Sequence, residues 1–335
     1  MNVPIGRLFG LVVLLFAVLV FATSWWTEFG AQRLRDNPLN RRQLLEDAKV
    51  KRGRILADDG TVLARSVRAQ GDTYRRVYPN DRFSHEVGYS FTNLGRAGLE
   101  QSRNPALTGQ GGEVDTLLEQ LSGRKKAGND IVTNLDPAAQ KVALQQLAGR
   151  KGSVVALEPS TGKVRVMASI PGFDQNAVPS HFRTLNRDTS APLLNRSTQA
   201  GYPPGSTFKV VTATAALDSG KLTPDSTLNG DSGIAISGVP LANDGGQDFG
   251  PIDMTDALTN SVNTYWAQVG EKLGKSTMAK YMNLYGFDSK PPLDYPNAQK
   301  RASGQYSAHG RLLSPTSSQT DVGRMAIGQD KLAVT

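Results

Sequence analysis

An uncharged apolar run near the start of the chain constrains its fold more than any other feature. Residues 8–26 read LFGLVVLLFAVLVFATSWW and carry no charged side chain. A helix needs about 20 such residues to cross a hydrocarbon core of about 30 Å. Trp25 and Trp26 end the run, where aromatic rings favour the membrane–water interface. We therefore predict that residues 1–30 form a short cytoplasmic tail and a single membrane-spanning helix.

Two other interpretations of the run stay open. A cleaved signal peptide needs a small-residue cleavage site, and Ala22-Thr23-Ser24 is a weak one. A buried core helix is less consistent with a run at the N-terminus that is apolar on nearly every face. The flanking charges do not settle the orientation, because Arg7 precedes the run and four arginines follow it within residues 33–42.

Composition limits the chemistry of the whole chain. Its 335 residues are enough for about two domains, and 39% hydrophobic with 20% charged residues is typical of globular proteins. The absence of cysteine excludes disulfide scaffolds, zinc ribbons, iron–sulfur clusters and thiol nucleophiles. The three histidines lie far apart, without a metal-binding spacing. We predict no metal and no cofactor. The 34 glycines and 18 prolines favour a loop-rich α/β or α+β fold over a helical bundle.

Positive charge is concentrated in the first half. Residues 1–150 carry 21 Lys/Arg against 15 Asp/Glu, whereas residues 151–335 carry 17 against 15. The surplus favours an anionic membrane surface or an anionic polymer as neighbour, with an ordinary solvated surface as the alternative. No basic block of five or more residues occurs, and aromatic residues do not alternate with the basic ones. Nucleic acid is therefore not expected as a partner.

Turn and capping signals follow the apolar run. Residues 54–64 predict two short strands around the turn Asp59-Gly60. Asp136 followed by Pro137 predicts the N-terminus of a helix. We therefore predict a small mixed α/β pedestal domain over residues 31–150.

A second domain is predicted over residues 151–335. Ser153–Leu157 and Val164–Ile170 are short apolar runs joined by a tight turn, which indicates a β-hairpin. This hairpin would open a sheet-based domain.

A candidate nucleophile stands at the start of a predicted helix in this domain. Pro203-Pro204-Gly205 forms a rigid turn, and an Ala/Val/Thr-rich helix follows over residues 207–218. Ser206 and Lys209 are three residues apart, so their side chains would lie on one side of the first turn. The positive end of the helix favours a developing alkoxide on Ser206. A buried Lys209 would have a lowered pKa and could act as the general base.

A second polar element lies 55 residues after Ser206. Ser261-Val262-Asn263 falls between two predicted helices, over residues 254–258 and 264–273. The Ser261 hydroxyl could relay a proton, and the Asn263 amide could hold a peptide group. The alternative is that both side chains cap the neighbouring helices, which is the commoner role of Ser and Asn at such positions.

Neither short motif is specific by itself. The Ser-x-x-Lys spacing also occurs at Ser122–Lys125 and Ser160–Lys163, both in glycine-containing turns. The Ser-x-Asn spacing also occurs at Ser102–Asn104. The position of Ser206 before a buried helix of small residues is what distinguishes the third pair.

Together, the two motifs resemble those of penicillin-binding proteins and serine β-lactamases. Upstream stretches are similar to those of class B penicillin-binding proteins, and the N-terminal anchor makes the penicillin-binding protein A subgroup the nearest likeness. These stretches are Arg52-Gly53-Arg54-Ile55 with Asp59-Gly60 and Leu63-Ala64, Gly98-Leu99-Glu100, Thr133-Asn134-Leu135-Asp136 with Gln140, and Val154–Met167 followed by Pro171-Gly172-Phe173.

The resemblance implies a peptidoglycan D,D-transpeptidase that is anchored in the cell membrane and works outside the cytoplasm in cell-wall synthesis and cell division. Ser206 would attack the D-Ala-D-Ala carbonyl of a stem peptide, with Lys209 as base. Ser261 would relay the proton to the leaving group, and Asn263 would bind the donor peptide. β-Lactams would trap Ser206 covalently. The implied protein partners are cell-wall synthesis or divisome proteins.

One element of the family is absent from the sequence. No Lys-Thr-Gly occurs, and Thr335 follows closely on Ile327-Gly328-Gln329. By the resemblance, the transpeptidase domain is incomplete at its C-terminal part, which predicts low activity for the chain as written. Two alternatives stay open: a catalytically incomplete membrane-anchored scaffold of the same fold, and a β-lactamase or β-lactam sensor.

Overall fold

The computed structural model describes residues 3–27, 41–110 and 127–335. Contacts divide the chain into two compact units, residues 1–148 with 155–193 and residues 149–154 with 194–335. The predicted pair Ser122–Lys125 lies outside the described residues.

The apolar run forms a helix, as predicted. Helix α1 (Val3–Trp25) is continuous, and nearly all of its side chains are exposed. The segment Pro4–Trp25 is long enough to cross a membrane and contains an 18-residue window with a mean hydropathy of 2.6. Because the helix buries no face against the other described residues, its apolar surface needs an apolar environment.

The first unit contains a four-stranded mixed sheet among short helices. Its elements after α1 are α2 (Arg41–Ala48), β1 (Ile55–Leu56), β2 (Val62–Arg68), β3 (Tyr74–Val77), α3 (Ser84–Val87), β4 (Ser90–Phe91), β5 (Gly95–Arg96), α4 (Gly98–Ser102), α5 (Asn104–Leu107), β6 (Ile131–Val132), α6 (Pro137–Leu147), β7 (Gly152–Leu157), β8 (Val164–Ile170) and α7 (Val178–Arg187). The sheet has the order β3-β2-β1-β6, and β1 pairs antiparallel with β2 and parallel with β6. The division between the units falls after residues 148, 154 and 193, so β7 is shared between them.

The local predictions for this part of the chain are confirmed. Strands β1 and β2 flank the Asp59-Gly60 turn, where the Asp59 carboxylate accepts from the Thr61 amide at 2.8 Å. The Asp136 carboxylate accepts from two amides of the first turn of α6, at 2.8 and 2.9 Å. Strands β7 and β8 form the predicted hairpin, whose turn is closed by Glu158 N–H donating to the Lys163 carbonyl at 2.9 Å.

A buried ion network lies beside the core of the first unit. Glu100 is fully buried and receives hydrogen bonds from the guanidinium groups of Arg52 and Arg76. Burial alone would raise the pKa of Glu100, but the two arginines lower it below the ordinary value. A buried carboxylate of this kind depends on its partners, because an unpaired charge in the interior is costly.

The second unit is built around two helices and three small sheets. Its elements after β7 are α8 (Lys209–Asp218), β9 (Leu228–Asn229), β10 (Ile234–Ile236), β11 (Val239–Leu241), β12 (Pro251–Ile252), α9 (Met254–Thr259), α10 (Asn263–Leu284), β13 (Gly304–Tyr306), β14 (Leu312–Leu313), α11 (Val322–Ala326) and β15 (Leu332–Ala333). The sheets pair β10 with β11, β9 with β12, and β13 with both β14 and β15.

Helix α10 is the centre of the second unit and packs against both α8 and α11. Trp266 and Tyr265, the largest of the fully buried side chains, stand in its first turns. The contact with α11 is so close that a Cβ at Gly270 would overlap the side chain of Ala326. Thr212 on α8 donates its hydroxyl hydrogen to the Ala326 carbonyl at 2.7 Å, so α8 is tied to α11 as well.

One helix boundary in the second unit differs from the prediction, and another agrees with it. The helix predicted over residues 207–218 begins as a 3₁₀ turn (Gly205–Phe208), and α-helical geometry starts at Lys209. The helix predicted over residues 264–273 is confirmed as the first part of α10. The backbone leaves helical geometry in a kink at Gly274, with φ +76° and ψ 163°, and a second helical stretch then runs to Leu284. The chain resumes helical geometry after the kink because Met278 and its neighbours are buried in the same core.

Candidate active site

Ser206 stands exposed in the 3₁₀ turn before α8. The turn is possible because Gly205 adopts φ +56°, a left-handed conformation that favours glycine. Gly205 N–H donates to the Gly328 carbonyl at 3.0 Å, and a Cβ at Gly328 would overlap Gly205. Phe208, two residues after Ser206, is buried and packs edge-to-face on Phe287. The candidate nucleophile is therefore exposed on a turn that is anchored from both sides.

Lys209 is buried directly beneath this turn, with 1% of its surface exposed. Its amine donates to the Ser261 carbonyl at 2.6 Å, to the Ser261 hydroxyl at 3.0 Å and to the Asn263 side-chain oxygen at 2.7 Å. An ammonium group has three N–H donors, so all of them are satisfied by neutral oxygens. The structure thus brings Lys209 together with both predicted polar residues of the second element.

Burial controls the proton on Lys209. Removal of the amine from water lowers the pKa of Lys209 from its ordinary value to about 8. No carboxylate among the described residues forms an ion pair with it that would restore the charge. With a pKa of about 8, roughly one amine in ten is neutral at pH 7. A neutral amine can act as a general base, and the serine hydroxyl that contacts it here is that of Ser261, at 3.0 Å.

The Ser261–Asn263 segment is held in a strained turn. Ser261 adopts φ +54°, and Val262 behind it is 1% exposed. The alternative that Ser261 and Asn263 cap the helices is wrong. Helix α9 ends at Thr259 with Asn260 as its C-cap residue, and the N-cap position of α10 is Val262, which has no side-chain cap. Asn263 is the first residue of α10 rather than part of the loop, and its side chain is directed to Lys209.

The other described copy of the Ser-x-x-Lys spacing forms no such site. Ser160 and Lys163 are both exposed in the turn of the β7–β8 hairpin. There Thr161 donates to the Glu158 carboxylate, as in an ordinary surface turn. The two pairs share the same spacing, and burial of the lysine is what distinguishes Ser206–Lys209 from Ser160–Lys163.

Sequence reasoning missed two supporting residues. Gly328, with φ +73°, braces the turn of Ser206, and its only signal was its place in Ile327-Gly328-Gln329. Asn243 is buried and accepts hydrogen bonds from Thr264 at the start of α10. Its signal was a cluster of Asn, Asp and Gly, which indicates a turn but not a distant partner.

Two family models match the chain. Residues 152–335 match the penicillin-binding protein transpeptidase domain, and residues 52–131 match the penicillin-binding protein A dimerisation domain. The chain belongs to the class B penicillin-binding proteins. The family resemblance and the α+β transpeptidase fold predicted from the sequence are both confirmed.

Curated relatives support this membership over the whole chain. The peptidoglycan D,D-transpeptidase PbpA of Mycolicibacterium smegmatis is 31% identical, with all of this chain aligned to 70% of the relative. PbpA of Mycobacterium tuberculosis is also 31% identical, over the same shares of both chains. The whole of this chain thus aligns with about seven-tenths of the length of each of these relatives.

Solved structures of penicillin-binding proteins match the fold. The imipenem acyl-enzyme complex of penicillin-binding protein A from M. tuberculosis has a TM-score of 0.73 and 30% identity, covering 87% of this chain and 69% of that one. PBP2 of Pseudomonas aeruginosa in complex with WCK 5153 has a TM-score of 0.69 and 28% identity, covering 85% and 66%.

Proposed function

We propose that this class B penicillin-binding protein is a peptidoglycan D,D-transpeptidase that works through an acyl-serine intermediate. The observation that carries the proposal is the buried Lys209 amine, held by Ser261 and Asn263 one helical turn from the exposed Ser206. The names of the relatives support the same activity, since they are peptidoglycan D,D-transpeptidases, and the mycobacterial structure is a β-lactam acyl-enzyme.

In the first step, Ser206 Oγ attacks the carbonyl carbon between the two D-Ala residues of a donor stem peptide. Neutral Lys209 takes the hydroxyl proton as the O–C bond forms. The amide N–H of Ser206 lies in the first turn, where backbone donors have no partner within the helix, and can stabilise the oxyanion. The C–N bond then breaks, and terminal D-Ala leaves as an amine.

Ser261 is placed to complete the proton transfer. Its hydroxyl lies 3.0 Å from Lys209 Nζ, so a proton on the lysine can pass through it to the departing nitrogen. The Asn263 side chain also contacts the Lys209 amine, and its amide is the proposed contact for the backbone of the donor peptide. In the second step, an amine of a neighbouring stem attacks the acyl carbon and the new C–N bond forms. The bond between the acyl carbon and Ser206 Oγ breaks, and the proton lost by the amine passes to Ser206 Oγ.

Covalent labelling with a fluorescent penicillin tests this proposal, because a β-lactam mimics the donor and acylates the same serine. The full chain in detergent is expected to label, and Ser206→Ala is expected to abolish the label. The matched control is Ser160→Ala, which removes the serine of the exposed Ser160–Lys163 pair and is expected to leave labelling unchanged.

The lifetime of the label separates the alternatives. A label that persists for an hour supports the transpeptidase, because such an enzyme deacylates slowly with water. Loss of the label within minutes would identify a β-lactamase. No label on the wild-type chain would favour a non-enzymatic scaffold of the same fold.

We propose further that α1 is a single-pass anchor and that the remaining chain lies outside the cytoplasm. The exposed apolar surface of α1 supports this placement. The proposed organisation is an anchor over 1–30, a pedestal over 31–150 and a transpeptidase domain over 151–335, and the two family matches fall within the last two. The pedestal is the proposed contact region for cell-wall synthesis or divisome proteins.

The absence of cysteine permits a clean test of the orientation. Ser160→Cys introduces a single exposed thiol into the sheet-based part of the chain. A membrane-impermeant maleimide applied to intact cells is expected to label this variant and to leave Asn2→Cys, in the proposed cytoplasmic tail, unlabelled. The reverse pattern would overturn the proposed orientation.

A further inference from the structure

Helix α10 begins without a side-chain cap of its own. Its N-cap residue, Val262, has an apolar side chain and forms no cap hydrogen bond. Ser261 and Asn263, on either side of it, are residue types that commonly cap helices. Their side-chain oxygens instead lie against the amine of Lys209, at 3.0 and 2.7 Å. The first turn of α10 therefore needs another acceptor for its free amide groups.

Asn243 provides this acceptor from 21 residues away. Its side-chain oxygen accepts from the Thr264 amide and from the Thr264 hydroxyl, both at 3.1 Å. Thr264 is fully buried, so water does not compete for these donors. Asn243 thus performs for α10 the role that an N-cap side chain performs within most helices.

The other atoms of Asn243 are equally constrained. Its amide nitrogen donates to the Gly230 carbonyl at 2.7 Å and to the Gln247 carbonyl at 2.9 Å. Its backbone N–H donates to the Ser232 hydroxyl at 3.1 Å, and the residue is 5% exposed. Both donors and both acceptor positions of the amide are therefore used, which fixes the plane of the side chain.

The preceding residue orients Asn263. The Ala242 carbonyl accepts from the Asn263 amide nitrogen at 3.2 Å, which leaves the Asn263 oxygen directed at Lys209. The pair Ala242–Asn243 therefore holds the first two residues of α10 from one side. Lys209 meets the same segment from the other side through Ser261 and Asn263.

We infer that Asn243 is a positioning residue for acylation: by capping α10 in place of Ser261 and Asn263, it leaves their oxygens free to hold the Lys209 amine. The inference rests on the proposed transpeptidase function. None of these hydrogen bonds of Asn243 joins it to Ser206 or Lys209, so it acts through the segment that it holds.

Loss of this cap has a defined consequence for Lys209. In Asn243→Ala, the buried donors of Thr264 lose their acceptor, and Ser261 and Asn263 become competing caps for the free amides. Their withdrawal admits water to the amine of Lys209. Since burial is the cause of its lowered pKa, hydration moves that pKa from about 8 back toward the ordinary value. A rise of one unit reduces the neutral amine at pH 7 about tenfold.

Two measurements on the full chain in detergent test the inference. NMR titration of ¹³Cε-labelled lysine, with the Lys209 signal assigned by its absence in Lys209→Met, reports the amine directly and needs no substrate. The rate of acylation by fluorescent penicillin from pH 6 to 10.5 reports the same group kinetically. Asn243→Ala is expected to raise both midpoints by at least about one unit and to slow acylation at pH 7 about tenfold or more.

Two further variants make the outcome specific. Thr264→Val keeps the shape of the side chain but removes one donor to Asn243, and a smaller shift in the same direction is expected. Asn229→Ala is the matched control, because the exposed Asn229 side chain accepts from the Asp231 amide, and its backbone carbonyl, which accepts from Gln268 on α10, is kept in the variant. It is expected to leave both midpoints unchanged.

The outcomes separate this inference from the proposed function. An unchanged Lys209 midpoint in both Asn243→Ala and Thr264→Val would overturn the inference, even with normal penicillin labelling. An equal shift in Asn229→Ala would also overturn it, because a general loosening of the domain would then be the cause. Failure of the wild-type chain to label would count against the proposed function, while the NMR titration would still decide the role of Asn243.

Discussion

Replacement of Asn263 by aspartate should move the pH dependence of acylation without changing the architecture of the site. The Asn263 side-chain oxygen lies 2.7 Å from Lys209 Nζ, and the amine has no anionic partner among the described residues. Asn263→Asp keeps the size of the side chain and places a negative charge at that contact. The charge favours the ammonium form of Lys209 and raises the lysine pKa.

The size of the effect follows from the distance. An opposite charge within about 4 Å commonly shifts a pKa by about one to three units. The pKa of Lys209 would therefore rise from about 8 to between about 9 and 11. At pH 7 the neutral fraction would fall from roughly one-tenth by a further factor of about ten to a thousand. Acylation should slow by the same factor and recover as the pH approaches 10.

The assay is the initial rate of fluorescent-penicillin labelling from pH 6 to 10.5, corrected for alkaline hydrolysis of the probe. Asn260→Asp is the control, because it adds the same charge one residue before Ser261, at a side chain that hydrogen-bonds the Asp256 carbonyl in α9 and not Lys209. We expect its midpoint to stay near that of the wild type. A midpoint for Asn263→Asp equal to that of the wild type would refute Lys209 as the titrating base, whatever the absolute rate.

Three further predictions concern stability. Gly328→Ala should lower the free energy of unfolding by about 2 kcal/mol or more and slow labelling, because its Cβ would overlap Gly205. Gly310→Ala is the control, because Gly310 has a similar positive φ but open space around it, and a smaller loss is expected. Glu100→Gln should cost about 3–5 kcal/mol in urea unfolding, since it leaves two buried arginines without a counter-charge, and a loss below 1 kcal/mol would contradict the role of the ion network. Burial raises the pKa of Glu86 to about 8, so unfolding free energy should fall by up to about 5 kcal/mol as pH rises from 4.5 to 8, and Glu86→Gln should remove that slope.

The sign for Glu86 follows from its proton. In the folded chain the buried carboxyl keeps its proton up to about pH 8, whereas the unfolded chain releases it near pH 4.5. Between these values the folded state binds more protons, and stability therefore declines with rising pH. Stability measured at several pH values in detergent would show no decline over this range if Glu86 were ionised in the fold.

Local sequence signals predicted many elements because they act over a few residues. Asp136 caps α6 as expected, and the hairpin of β7 and β8 closes at its predicted turn. The apolar run became α1 because nearly every side chain in it is apolar, a property independent of the rest of the fold. The 3₁₀ turn at Ser206 was missed, since tertiary contacts from Gly328 rather than local propensity determine its geometry.

The contrast between Lys163 and Lys209 shows where sequence reasoning ends. Both follow a serine by three residues, yet one is exposed in a surface turn and the other is 1% exposed. Burial depends on which helices pack over a residue, and this information is spread through α8, α10 and α11. Spacing and context in the sequence therefore identified the pair Ser206–Lys209 as the candidate site. The lowered pKa of Lys209 could not be predicted in the same way, because it results from burial in the packed core.

The sequence by itself determined the apolar helix, the local turns and caps, and the placement of Ser206 and Lys209 within one helical turn. The tertiary structure alone decided that Ser261 and Asn263 hold the amine of Lys209, across separations of 52 and 54 residues. It also decided that Asn243 caps α10 in their place. The physical reason is range: capping and periodicity act between near neighbours, whereas desolvation and long-range hydrogen bonds exist only once distant segments pack together.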